Sequence, residues 1–367
     1  MRLPKDIESE EQLYAWLRGL ADLNGEHIWT YLLFSRAPLE TWLEDPRGTL
    51  SLAKREPYRF PVFSLSRRPV GLHGRQLSGW FAMIPAGHSR IYKLVTVASR
   101  EYWHRIILPF VRGGYPRLAP IYLMQRELQD GLKALSDALP PNHRINLVRA
   151  SSKERITARS RTTQGSRRRY RSNVTYTQEA LETAFQLAHE RGQWFRSLTV
   201  DVEKVTPEGI VAVVSGFTLS KDGWTAWDSL RGRLDVSLER VLVDRTSERL
   251  NLFRNRGLVT RNYAPDVPLA IEFEVAVFDD RRVLRSFGAL MFKYPRSTKA
   301  LLHQNPYYHM SLSDQGDGSA FDLWVLSPRR VLVVPRLRAS EPALSRLVNY
   351  IVENFRDARV SNYVANE

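Results

Sequence analysis

At 367 residues, 43% hydrophobic and 25% charged, the chain has the composition of a folded globular protein with room for two domains, far from the disordered class. It has no cysteine, which excludes disulfides, thiolate metal sites and cysteine nucleophiles and points to the reducing cytoplasm. Its formal charge of +15, from 54 basic residues against 39 acidic ones, implies a polyanionic partner, with nucleic acid ahead of acidic lipid.

Lysine supplies nine of the 54 basic residues, which leaves 45 arginines. The planar guanidinium fork suits phosphate better than an ammonium does. A GC-rich genome would also favour arginine over lysine, but it does not account for the surplus of positive charge. The opening residues MRLPKDIESEEQ are acidic and polar where a secretory signal needs an apolar stretch. The apolar runs at 210–217 and 331–334 are too short to cross a bilayer, so no membrane contact is expected.

Ser9 and Gln12 form a capping-box pattern ahead of Leu13, Trp16, Leu17 and Leu20, which predicts a helix that Gly25 ends. Residues 27–34 are aromatic and apolar and predict a buried strand. Residues 54–75 read as a loop, with Pro57, Pro61, Pro69, Gly71 and Gly74 among six basic residues. Another strand is predicted at 90–98, followed by a short aromatic helix around Tyr102, Trp103 and Ile107. Met124, Leu128, Leu132, Leu135 and Leu139 share one helical face, predicting a helix over 119–139 that Pro140 and Pro141 stop.

The composition then changes. Residues 144–171 carry ten basic side chains against the single acid Glu154, and beyond Ile156 the stretch TARSRTTQGSRRRYRSN has no apolar periodicity. It reads as a linker or exposed loop. The second half opens with a helix over 178–191. Leu198, Val200 and Val202 then alternate with polar residues, and a hairpin turns at Glu208-Gly209. A second hairpin is predicted over 271–292 around Asp279-Asp280, and a third over 323–334 around Ser327-Pro328. A helix over 341–355, capped by Ser340, closes the chain. The pattern implies an α+β protein of largely antiparallel hairpin sheets with flanking helices in two domains. These are an N-terminal α/β domain over 1–143, a basic linker over 144–176, and a C-terminal α+β domain over 177–367.

Seven arginines of the basic stretch, Arg155, Arg159, Arg161, Arg167, Arg168, Arg169 and Arg171, are candidates for neutralising phosphates, with Tyr170 available to stack on a base. Smaller basic sets occur at Arg254, Arg256 and Arg261, at Arg281, Arg282 and Arg285, and at Arg329, Arg330, Arg336 and Arg338. Trp29, Trp103 and Trp194 sit in apolar surroundings and are expected in the core. Trp224, Trp227, Tyr307 and Tyr308 lie in polar, turn-rich stretches and are expected at the surface, where they suit base stacking or a protein interface.

The competing chemistry starts from Asp201-Val202-Glu203, two carboxylates on one face of a predicted strand, with His309 and Asp314 five residues apart further on. That order is similar to the one used by four-carboxylate, two-metal exonucleases, in which Mg²⁺ or Mn²⁺ activates water and stabilises the leaving oxygen. The intervening sequence lacks an Asn-x-x-Phe-Asp-like segment, since Asp228, Asp244 and Asp266 have no such context, and Glu272 and Glu274 repeat the D-x-E pattern with no partners. Lys204 directly follows Glu203, one position short of the Glu-x-Lys of restriction-type nucleases. His309-Met310-Ser311 is a single copy of an element that cyclic-phosphodiester chemistry needs twice. His189-Glu190 begins like a zinc-protease helix, but Gln193 stands where the second histidine belongs. Residues 314–318, DQGDG, read as a tight turn, not a calcium loop. No phosphate-binding lysine loop, dinucleotide glycine fingerprint or serine nucleophile elbow is present, which argues against a nucleotide cofactor and a serine hydrolase. The leading expectation is therefore a non-enzymatic protein that grips DNA or RNA by charge and backbone shape, needs no cofactor, and works with other protein subunits in a larger prokaryotic assembly. The alternatives are the metal-dependent nuclease of Asp201, Glu203, His309 and Asp314, and a scaffold whose basic surface meets an acidic protein.

Overall fold

The capping box forms as the sequence requires. Ser9 Oγ accepts from Gln12 N at 3.2 Å, Gln12 Oε1 accepts from Ser9 N at 3.2 Å, and helix α1 runs over Glu10–Asn24 before Gly25 leaves it at φ 61°. The structure is a computed structural model that describes residues 7–35, 50–55, 60–67, 76–86, 90–155, 173–177, 180–229, 234–254, 267–304, 307–336 and 338–364.

Five strands come after α1: β1 (His27–Ser35), β2 (Leu50–Arg55), β3 (Val62–Arg67), β4 (Leu77–Pro85) and β5 (Ile91–Ala98). A helical segment comes next, made of α2 (Arg100–Tyr102), a π-turn (Trp103–Ile107) and α3 (Leu108–Gly113). In the π-turn Leu108 N reaches Trp103 O, five residues back, and Pro109 beyond it has no N–H to resume the ordinary ladder. Then come β6 (Leu118–Pro120), α4 (Gln125–Ala138), β7 (His143–Glu154), β8 (Asn173–Thr177), α5 (Leu181–Glu190), β9 (Gln193–Val205), β10 (Val211–Ser220), β11 (Trp224–Ser229) and α6 (Leu234–Phe253). The last part of the chain holds β12 (Leu269–Phe273), α7 (Arg281–Phe292), β13 (Ser297–His303), β14 (Tyr308–Asp314), β15 (Ala320–Ser327), β16 (Arg330–Pro335), α8 (Glu341–Asn354) and β17 (Ala358–Asn362).

The strands form two sheets, and every pairing among the described residues is antiparallel. The larger runs β2-β3-β4-β5-β1-β11-β10-β9-β7-β8, with β6 also on β1; the smaller runs β13-β14-β15-β16-β12-β17. The expected α+β class with antiparallel sheets is what the chain adopts. One face of the large sheet shares a continuous apolar core with α1, α4, α5, α6, the small sheet and α8. Over β1 and β3 to β5 the other face is covered by the segment 100–113, through Trp103, Ile106, Ile107 and Val111 against Trp29, Tyr31, Phe81 and Leu94. No helix among the described residues is long and apolar enough to cross a membrane.

Several expectations are corrected. Residues 144–154 are not linker: they belong to β7, paired with β9 on one side and β8 on the other. Leu147 and Ala150 face the core, while Arg144 and Arg149 on the opposite face give the stretch its polar look. The large sheet also draws strands from both sides of the expected boundary, since β1 pairs with β11. Residues 62–67 are a strand and not loop, starting just after Pro61, where a missing N–H costs no ladder bond. The helix expected from 119 begins at Gln125, because Ala119-Pro120 is held extended against β1. The expected return strand over 283–292 is α7. Asp280 Oδ1 caps it from Arg282 N at 2.7 Å, and Phe287, Leu290 and Met291 are buried at helical spacing. The helix expected over 341–355 forms as α8 with Ser340 as its N-cap, and the last described element after it is the strand β17. Trp227 and Tyr308, expected outside, are 1% and 0% exposed.

Candidate functional site

Alternation along the strands decides what the half of the large sheet beyond the 100–113 segment presents on the face opposite the shared core. On β9, Leu198, Val200 and Val202 enter the core, so Ser197, Thr199, Asp201 and Glu203 face the other way. Phe217 and Leu219 do the same on β10 and leave Gly216 and Thr218 outside. Trp227 on β11 leaves Trp224, Ala226 and Asp228; Leu147 on β7 leaves Arg144, Asn146, Arg149 and Ser151; Tyr176 on β8 leaves Thr175 and Thr177. Register aligns these into cross-strand rows. One holds Thr177, Arg149, Thr199, Thr218 and Ala226, another Asn146, Asp201 and Gly216, and a third Thr175, Ser151 and Ser197.

Charge in the carboxylate row is compensated unevenly. Glu203, buried, accepts from Arg144 Nε at 2.8 Å and from Asn146 Nδ2 at 2.9 Å. Asp228 lies 2.7 Å from His27 Nδ1, and His27 Nε2 accepts from Arg100 Nε at 3.1 Å, which puts the ring proton on Nδ1 toward Asp228. Asp201 sits between these two carboxylates, and among the described residues it has no hydrogen-bond or ion-pair partner. Burial, then Glu203 and Asp228, push its pKa up. Gly216 keeps the row open, since a Cβ there would lie 2.9 Å from Asp201 Oδ1.

An aromatic margin borders this face where the 100–113 cover begins. Trp29 stacks on Trp103 with ring centroids 4.6 Å apart and donates Nε1–H to Ala98 O at 2.8 Å. Half-buried Trp224 leans on Trp29 at 5.6 Å. His104 meets Trp29 edge-on at 6.2 Å, and burial, Arg100 and Arg112 hold its pKa down, which keeps the ring neutral at neutral pH.

The basic stretch divides. Arg155 is 4% exposed, with Nη2 3.8 Å from Asp357 Oδ1, so it is a buried residue and not a phosphate-facing one. Arg159, Arg161, Arg167, Arg168, Arg169, Tyr170 and Arg171 lie outside the described residues, in the connection from β7 to β8. Of the smaller basic sets, Arg330 pairs with Glu272 at 2.9 Å and Arg336 with Asp322.

The expected metal quartet does not assemble. Asp201 and Glu203 lie in the large sheet, His309 and Asp314 in the small one, and positions five apart on a strand face opposite sides. His309 stacks on Trp324 at 3.5 Å with Nε2 3.4 Å from Asp322 Oδ2. Asp314, buried, is held by Tyr115 at 3.1 Å and by Arg346, and accepts from Gly316 N at 2.7 Å in the tight turn anticipated there. Among the described residues no group of three or more histidines and carboxylates is disposed to hold a metal ion. Sequence reading misses His27, Arg100, Arg144, Asn146 and the use of Asp228, which only cross-strand register brings to Asp201 and Glu203.

Asp201 gives a test of this electrostatic reading. A carboxyl whose folded pKa is raised binds its proton more tightly when folded, so its contribution to stability is complete below the ordinary carboxylate range and is lost as pH rises through the raised value. Asp201→Asn is expected to raise the unfolding midpoint at pH 7 by the equivalent of roughly 0.2–1 kcal/mol, the size of a like-charge cross-strand contact screened by solvent. The gain should vanish on acidification below about pH 4. Thermal scans of both proteins at the two pH values check this, and a lower midpoint for the variant at pH 7 would refute it. The chain matches no protein-family model and no curated protein.

Proposed function

We propose that this chain binds DNA or RNA without transforming it, gripping phosphates chiefly through the arginines that connect β7 to β8. One observation carries the reading. Between residues 156 and 172 the sequence holds six arginines, at 159, 161, 167, 168, 169 and 171, and no acid. That connection joins β7 to β8, the strand at the edge of the large sheet. Clustered arginine on a chain of +15 is the electrostatic footprint of a phosphate binder, and binding by it depends on charge more than on sequence.

The test is binding of labelled DNA and RNA oligonucleotides over a salt series, with and without Mg²⁺, for the native protein and a variant with the last four arginines replaced. Affinity that falls with salt, and falls further in the variant, supports the reading. Absence of binding at about 100 mM salt removes it and leaves an acidic protein partner as the reading to pursue. Fragments that appear only with Mg²⁺ or Mn²⁺ and are lost in Asp201→Asn would replace binding by cleavage, with Asp201, Glu203 and Asp228 as the carboxylates to study.

A further inference from the structure

We infer that the cleft between the strip 115–122 and helix α8 binds a small uncharged molecule that carries a carbonyl-type oxygen on an apolar body. This site is separate from any nucleic-acid contact and stands or falls without it. The walls are apolar, with Phe34 of β1, Ile121, Leu250 of α6 and Pro342 of α8 among them. The free space, open mouth included, is about 350 Å³, which admits a small molecule and not a polymer segment. Pro342, Ser345 and Arg346 lie three and four positions apart, so one face of α8 brings all three to the cleft.

Three polar side chains line those walls with donors left over. Ser345 is 7% exposed, and its hydroxyl has no hydrogen-bond partner among the described residues. The hydroxyl of Tyr122 likewise has none among them, although Arg249 holds the backbone of that residue through Tyr122 O at 2.6 Å. Arg346 is fixed in advance. Its Nε donates to the Tyr294 hydroxyl at 3.0 Å, Nη2 grips Asp314, and the rings of Tyr115 and Tyr294 flank the guanidinium at 4.6 and 5.3 Å. Its Nη1 is left without a partner among the described residues. A buried hydroxyl without a partner is costly, and an acceptor brought by a ligand satisfies it. Charge decides the kind of acceptor. Glu341, the one acid in the lining, is paired with Arg90 at 2.9 Å, Asp314 with Arg346, and Glu353 near Tyr122 with Lys221. A charged ligand would therefore be buried with no counter-charge of its own, whereas a neutral oxygen uses the free donors at no such cost.

The experiment titrates acetophenone, benzoate and toluene, which share one ring and differ in the head group, and follows their ring protons by saturation-transfer NMR. Acetophenone is expected to bind with a Kd on the order of 1 mM, the range open to so small a ligand. Benzoate and toluene should bind roughly fivefold more weakly or worse. The double variant Tyr122→Phe with Ser345→Ala keeps walls and charges, and should weaken acetophenone binding roughly tenfold while leaving toluene unchanged. Ser345→Leu, which fills the cleft, should abolish binding of acetophenone. Should that larger side chain unfold the protein, the double variant still decides. Benzoate or toluene binding as tightly as acetophenone would overturn the class of ligand. Acetophenone binding that is unchanged in the double variant or in folded Ser345→Leu, or absent at about 10 mM from the native protein, would overturn the site.

Discussion

Replacing Arg167, Arg168, Arg169 and Arg171 by serine is expected to flatten the salt dependence of nucleic-acid binding by about 3 units in the slope of log K against log salt. Each arginine that neutralises a phosphate releases a condensed counterion, contributing about 0.7 to the slope on single strands and 0.9 on duplex. Over a fourfold rise in salt, from about 50 to 200 mM, the native protein should therefore lose roughly 50- to 150-fold more affinity than the variant does. A general weakening of the protein's positive field gives a different result. The formal charge is +15, and losing four charges that merely add to that field lowers affinity mostly at low salt, a deficit that fades by about 200 mM as screening shortens the field's reach, because no counterion is released from a particular phosphate. Slope and affinity together thus separate contact from field. A variant with native affinity and slope, and an unchanged unfolding midpoint, would show that these arginines do not touch the ligand.

The large sheet is partly legible in the sequence and partly hidden, for reasons that can be read from single residues. Leu198, Val200 and Val202 announce β9 because a strand with one buried face alternates cleanly. Helix α6 is hidden because its inward face carries Glu239, Thr246 and Arg249 among Leu238, Leu242 and Leu250, so charge interrupts the apolar stripe that identifies a helix. Residues 283–292 read as a returning strand because Val283 and Phe292 flank an apolar run of strand length. Asp280, the N-cap that starts α7, reads equally as a turn residue, since aspartate serves in either place.

The candidate site is legible only along one strand. Asp201 and Glu203 stand out because they are two residues apart. Their actual neighbours come from β7, β10, β11 and β1, and the pairing of β1 with β11 joins segments nearly 200 residues apart. Irregularities at 147/149 on β7 and at 216/217 on β10 shift which residues align, so no spacing rule puts Asn146 or Asp228 beside Asp201. Trp224 and Trp227 both read as surface aromatics. Being three apart on one strand they take opposite faces, and one is buried in the core while the other stands on the face opposite it. The His309 and Asp314 pair fails by the same parity.

The second large effect expected is on stability, from Arg249→Ala. Arg249 Nε and Nη2 grip Glu127 Oε1 and Oε2 at 2.8 and 3.0 Å, and Nη2 also donates to Tyr122 O at 2.6 Å. Glu127 in turn accepts from Met124 N at 2.8 Å at the start of α4, and both residues are under 10% exposed. Truncating the arginine leaves a carboxylate in the core without its counter-charge, a cost of about 3–5 kcal/mol. Truncating Arg105, whose 2.9 Å pair with Glu101 is half in water, should cost less than about 1 kcal/mol. Changing both core partners, Glu127→Leu with Arg249→Met, should restore most of the lost stability, because the large term is the unpaired charge and not the net worth of the pair. Chemical denaturation of the native protein and these three variants compares the costs, and an Arg249→Ala variant within about 1 kcal/mol of native would refute the expectation. The loss should also reach Trp224. The Tyr122 carbonyl that Arg249 holds lies in the strip 121–123 on which the turn before Trp224 is seated, through Leu123 N to Lys221 O at 2.6 Å. Gly223 in that turn approaches Ile121 O so closely that a Cβ would lie 2.1 Å away, at a φ of 83° that a side chain rarely adopts. The ion pair between α4 and α6 therefore fixes, two contacts removed, the position of the Trp224 ring.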